Sequence, residues 1–206
     1  MLLGNFQCAL SHGKVSLSLT NTTNFELQDW RDLISNVTVR PTHFLEVVPL
    51  APTWHGLHDA YKMGPEGVFW GPQVQPFLWR LPLLPDIAQR IMTLDNRNGD
   101  QTMGEFELAS AVAQVAIMAP SMSLLSAAHK RCGNTMARGW TNYHSNSFLV
   151  TASALLRARA FTLCEHRVTT TIVYQPRDCN LLANDSSWRL GLSDDQLIKN
   201  FNSTYP

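Results

Sequence analysis

The 206-residue chain has no surplus charge: 16 Lys and Arg balance 16 Asp and Glu. With 16% charged and 45% apolar residues it is neither a basic or acidic tail nor a disordered segment, and it is long enough for one α/β domain with a short extension. Cysteine is scarce. Cys8, Cys132, Cys164 and Cys179 stand far apart, with no C-x-x-C pair and no Cys/His run at zinc spacing. That excludes a zinc-ribbon framework and leaves four reduced, mostly buried thiols as the expectation. There is no internal repeat and no low-complexity tract. The start, Met1-Leu2-Leu3-Gly4-Asn5, lacks the basic residues and apolar run of a signal peptide, so the expected location is intracellular, cytoplasmic or nuclear, and not secreted. Long apolar runs are also missing, with one exception: Leu108 to Ala128 holds no charge over 21 residues, close to bilayer length. It contains Gln114, four serines and Pro120. It reads as a buried helix that breaks at Pro120 and leads into a strand, so no membrane partner is expected.

What charge there is lies unevenly. The nets are −1 over residues 1–50, −3 over 51–128, +5 over 129–167 and −1 over 168–206. An acidic stretch followed by a basic one suits a site that handles cations and a polyanion close together. Residues 1–52 read as a lead-in, with an amphipathic helix from Phe25 to Ile34, a stop at Arg40-Pro41-Thr42 and an extended Phe44 to Val48. Trp54 to Tyr61, Val68 to Trp70 and Phe77 to Trp79 read as three antiparallel strands, with turn chemistry at Gly64-Pro65-Glu66-Gly67. A helix from Gly104 to Met118 is apolar almost all round and should be buried. Then come a strand from Met122 to Ala128, helices at Asn134 to Trp140 and Phe148 to Cys164 (Arg157 and Arg159 outward), and a β-branched strand from Val168 to Tyr174. Leu181 to Trp188 starts a helix, and Ser193-Asp194-Asp195-Gln196 caps a last one from Leu197 to Phe201. The order β-β-β-α-β-α-α-β-α predicts an α/β fold: a mixed sheet with helices on its faces.

Two acids stand out. Asp59 closes the first strand, in His58-Asp59-Ala60-Tyr61. Glu107 lies on the apolar helix, and its neighbours at i+3, i+4 and i+7, Ser110, Ala111 and Gln114, form the only polar stripe there. Amid so much apolar surface Glu107 needs a partner, a cation or water, or else lies partly exposed on that stripe.

At these residues the chain resembles the C-terminal part of a retrotransposon reverse-transcriptase polyprotein, from the connector through the RNase H domain. His58-Asp59-Ala60 through Gly67-Val68-Phe69-Trp70 is similar to the D-A-S-x-x-G-x-G-G-V start of such domains. Phe106-Glu107-Leu108-Ala109 resembles D-L-E-L-A, and Gly133-Asn134-Thr135-Met136-Ala137 resembles S-D-N-T-P-A. Tyr174-Gln175-Pro176 through Asn180 to Ser187 resembles Y-x-P-G-x-x-N-x-M-A-D-D-x-S-R. Lead-in and tail also resemble their counterparts, so the likeness covers nearly the whole chain in order. It implies a connector at 1–52 that follows a polymerase domain, an RNase H-like domain at 53–190 and a helical tail at 191–206.

The resemblance further implies two-metal hydrolysis of the RNA strand in RNA/DNA hybrids, with two Mg²⁺ ions about 4 Å apart. Two such ions repel by about 16 kcal/mol at an effective dielectric of about 20, which four carboxylates and the substrate phosphate normally offset. Carried across, Asp59 and Glu107 are the first two acids and the expected catalytic and metal ligands, whereas the third and fourth positions fall on Gly133 and Asn184. With two of four acids gone, Mg²⁺ binding should be weak or absent and the nuclease impaired. Two other readings stand beside this pseudoenzyme. One is an active nuclease with rearranged ligands. The other is a non-catalytic module that binds RNA/DNA hybrid or other nucleic acid through the basic 129–167 stretch, Lys130, Arg131 and Arg138 above all.

Overall fold

The computed structural model describes residues 21–48, 51–61, 64–72, 74–93, 96–143, 150–176, 179–180 and 192–204. Five strands form one sheet: β1 (Trp54–Tyr61), β2 (Gly64–Gly71), β3 (Val74–Arg80), β4 (Ala127–Cys132) and β5 (Thr169–Tyr174), in the order β3-β2-β1-β4-β5. β1, β2 and β3 pair antiparallel, while β4 runs parallel to β1 and β5 parallel to β4. Parallel neighbours need crossovers, and helices supply them. The connection into β4 carries α3 (Pro85–Arg90) and α4 (Met103–Met118), and the one into β5 carries α5 (Thr135–Tyr143) and α6 (Val150–His166). The expected mixed sheet, three antiparallel strands followed by alternating helices and strands, is present.

Side-chain alternation along β1 sorts the interior into two layers. Trp54 and Ala60 face α4, in clusters with Phe69, Trp79, Val115 and Met118 at one end and Ile91 and Phe106 at the other. Leu57 points the other way and packs with Val68 and with Phe201 of α7 (Asp194–Thr204). α7 is further tied to the sheet by Arg80 Nη2 donating to Asp194 at 2.6 Å. Ser193 and Gln196 form its expected N-terminal box, and the helix runs past Phe201 to Thr204.

α4 starts where its sequence dictates. Thr102 caps the Glu105 N–H and Glu105 answers to the Thr102 N–H, a complete capping box. Its polar stripe faces the sheet. Gln114 lies in a notch between Gly56 and Gly67, donates to the Val68 carbonyl at 3.1 Å and accepts from Trp79 Nε1. The notch is specific. A Cβ at Gly67 would come within 2.6 Å of the Leu57 carbonyl oxygen.

Several expectations fail for identifiable reasons. Residues 44–48 are not extended: His43 and Glu46 close a capping box around a helical turn, α2 (Phe44–Val47). The lead-in helix is longer than its apolar pattern, spanning Asn21–Val39 as α1. Gly64 to Gly67 is no turn but the first half of β2. β4 begins only at Ala127, because Leu125 turns left-handed at φ 64° just before it. Arg159 is not outward. It is buried, and donates to the Thr170 carbonyl and hydroxyl of β5. The expected helix at Leu181 to Trp188 lies outside the described residues. No helix among the described residues is long and apolar enough to cross a membrane; the uncharged run ends its α-helix at Met118 and turns through Pro120, as its sequence implies.

Two glycine substitutions should therefore act with opposite signs in urea unfolding. Gly67→Ala overpacks the Gln114 notch and should cost about 2 kcal/mol. Gly139→Ala, mid-helix in α5 with nothing within 4 Å of an added Cβ, should stabilise by about 0.5–1 kcal/mol.

Candidate functional site

The polar stripe of α4 leads to the candidate site. Ser110 Oγ donates to the Asp59 carbonyl at 2.7 Å and fixes the helix across the end of β1. One turn earlier, Glu107 reaches the carboxyl ends of β1 and β4. There it meets His58 and Cys132: one potential ligand atom from each of the three lies within 4.8 Å of the others, and all three residues are buried. Glu107 is thus not an exposed residue on a solvated stripe. Asn180, in the segment after β5, donates to the His58 carbonyl at 3.4 Å. The Asn134 N–H donates to Cys132 Sγ at 3.3 Å.

Asp59 is buried too, and by alternation its side chain leaves the opposite side of β1 from His58. Its register partner on β2 is Glu66, so the two acids share a sheet face, with Cβ atoms about 4.5–5.5 Å apart as directly opposed residues are. Glu66 is 1% exposed, contrary to the expectation of a solvated turn residue. On β3 its register partner is Arg80.

Burial dominates the electrostatics. It pushes the Cys132 thiol up to about 12, and the Glu107 and Asp59 carboxylates push in the same direction. Burial disfavours charge of either sign, so it holds the thiol protonated; the two carboxylates act with it and Lys130 acts against it. Burial also holds His58 well below the usual histidine range, with the Lys130 charge adding to it.

Not all the residues singled out from the sequence converge. Asp59 and Glu107 flank the end of β1, and Gly133 follows directly on Cys132 at the end of β4. Asn184 lies outside the described residues. Lys130 is not a surface cation. It is fully buried on β4 and its Nζ donates to the Ala111 carbonyl at 3.0 Å, with burial and then the Arg159 charge holding the ammonium well below its ordinary range. Arg131 and Arg138 keep exposed side chains, Arg131 reaching Gln175 Oε1 at 3.2 Å. Most of the rest of the basic stretch turns inward or sideways: Arg157 pairs with Asp29 at 3.1 Å and Arg167 with Glu46 at 2.6 Å. The +5 therefore does not form one continuous surface. Sequence reasoning gave His58 and Cys132 no ligand role and took Glu66 for a solvated turn residue. The only signals were positional: His58 precedes Asp59, Cys132 precedes Gly133, and Glu66 falls opposite Asp59 once the hairpin register is known.

No protein-family model matches the chain, and no curated protein matches it. Among solved structures it is similar to RNase H1 from the halophilic archaeon Halobacterium salinarum NRC-1, at 13% identity and a TM-score of 0.42, over 65% of this chain and 98% of that one.

Among the described residues the donor set does not fit a Mg²⁺ pair. Mg²⁺ takes hard oxygen ligands in near-octahedral geometry. Here the carboxylate of Glu107 is grouped with an imidazole and a thiol, the buried Lys130 lies beside them, and Gly133 contributes no side-chain donor.

Replacing Lys130 by an unbranched chain one atom shorter and without charge relieves its desolvation. Lys130→Met should match or exceed the parent in chemical denaturation at pH 7, within about 1 kcal/mol. Lys130→Glu, which adds an anion near Glu107 and Asp59, should not fold stably.

Proposed function

We propose that the chain is a degenerate RNase H-like domain of a retroelement reverse transcriptase: connector at 1–52, RNase H-like domain at 53–190, helical tail at 191–206. Its two-metal hydrolysis of RNA in RNA/DNA hybrids is lost or strongly weakened. The observation that carries this reading is the backbone at Gly133. Among the described residues a Cβ built there would meet only the Gln175 carbonyl oxygen, at 3.8 Å, an ordinary van der Waals contact. The position at the end of β4 has room for the family's third acid and no side chain to fill it. Asp59 and Glu107 support the reading from the other side, since both acids are kept and buried around the end of β1. Asn184, a neutral amide at the fourth position, removes a further charge from any paired-cation site.

Two of the family's four acids against two divalent ions leave the cluster short of negative charge, burial makes that shortfall more costly than it would be in water, and the further acid Glu66, opposite Asp59, has Arg80 as its partner on the other side. The residues that remain can still hold a polyanion near the carboxyl end of β4 through Arg131 and through Arg138 of α5, and such binding would be modest because Lys130 is taken up inside.

The test is cleavage of a labelled RNA/DNA hybrid with Mg²⁺ or Mn²⁺. The parent chain should not exceed background, and Gly133→Asp combined with Asn184→Asp should gain activity that neither single change gives. Cleavage by the parent that disappears in Asp59→Asn would overturn the reading. In hybrid binding, Arg131→Ala and Arg138→Ala should each reduce the dependence of log affinity on log salt by about 1, and Lys130→Met should leave it unchanged.

A further inference from the structure

We propose that His58, Glu107 and Cys132 form a site for one thiophilic divalent cation of the zinc class. The three donors come from three elements, β1, α4 and β4, and their ligand atoms lie within 4.8 Å of one another. His58 makes the grouping more than a chance meeting. It is 0% exposed, and neither ring nitrogen has a hydrogen-bond partner among the described residues. A buried imidazole with both nitrogens unserved is costly, and a metal ion is one of the few ligands that would serve it.

Imidazole nitrogen, thiolate sulfur and carboxylate oxygen are the three donor types zinc takes, and three protein ligands leave its fourth position for water or another small ligand. Tetrahedral bonds of ordinary length place such donors about 3.3–3.6 Å apart, so small side-chain rotations close the site. One thiolate and one carboxylate match one divalent ion, and Asp59 on the far side of β1 counters the neighbouring Lys130. Binding replaces the Cys132 S–H bond with an S–metal bond and releases that proton to solvent. Lys130 faces the same space, with its ammonium turned to the Ala111 carbonyl. The same three residue types could make a nucleophilic triad elsewhere, but Cys132 is 0% exposed and offers a substrate no approach.

The site stands independently of any nuclease reading, since it needs no RNA and no second ion. The experiment uses the full chain, stripped with EDTA and titrated with Co²⁺. One equivalent should bind with a sulfur-to-cobalt charge-transfer band, Zn²⁺ should displace it, and millimolar Mg²⁺ should not. Cys132→Ser should abolish the band and weaken Zn²⁺ binding at least tenfold, whereas Cys164→Ser and Cys179→Ser should change neither. If circular dichroism shows Cys132→Ser unfolded, X-ray absorption on the Zn²⁺-loaded parent decides: one sulfur among the ligands supports the site, and a shell of nitrogen and oxygen alone overturns it. Absence of stoichiometric binding, displacement by Mg²⁺, or a band that survives in folded Cys132→Ser would also overturn it.

Discussion

Everything at the site depends on one packing choice: α4 lays its polar stripe, not an apolar one, against the central strand. A helix apolar nearly all round can bury any face, and what selects this one is the set of hydrogen bonds it completes. Ser110 serves the Asp59 carbonyl, Gln114 serves Val68 and Trp79, and the Ala111 carbonyl receives Lys130. A stripe of this kind tolerates no slippage, because a shifted helix would leave buried polar groups unpaired at about 1–3 kcal/mol each. That constraint, acting with the apolar clusters on either side of the stripe, fixes where Glu107 ends up, and so brings an acid, an imidazole and a thiol together.

The fate of the basic residues follows from the same economy of the interior. A run with a net of +5 reads in one dimension as a polyanion-binding face. In three dimensions β4 alternates, so Lys130 points under α4 while Arg131 points out; α6 likewise turns Arg159 in against β5 and Arg157 toward α1. Arg159 shows how far burial goes, its guanidinium lowered to about 10 by desolvation. Charge summed along a sequence says little about surface potential until the two faces of each element are separated.

The architecture was legible because it rests on short-range signals. The β-branched run ending at Tyr174, the capping residues of α7 and the break at Pro120 each say where an element starts or ends. Asp59 and Glu107 were legible as a pair only through a family pattern, since nothing local ties β1 to α4. What stayed hidden depends on register and alternation. Glu66 looked like a turn residue because Gly64-Pro65 and Gly67 surround it, yet the antiparallel pairing continues through those positions and sets it opposite Asp59. His58 and Cys132 are far apart in sequence and meet only because β4 lies parallel beside β1.

The N-terminal helical segment is joined to this interior on different terms. Phe25, Ile34, Val39 and Phe44 stay exposed, while Asp29 and Glu46 hold half-buried arginines of α6 and of the turn after it. Attachment that leans on these ion pairs, beside the half-buried Trp30, Leu33 and Leu45, weakens in part as counterions accumulate, whereas burial of apolar surface does not. Brine should therefore loosen the leading segment from a sheet that itself stays intact, and the two parts of the molecule would answer the ionic medium separately.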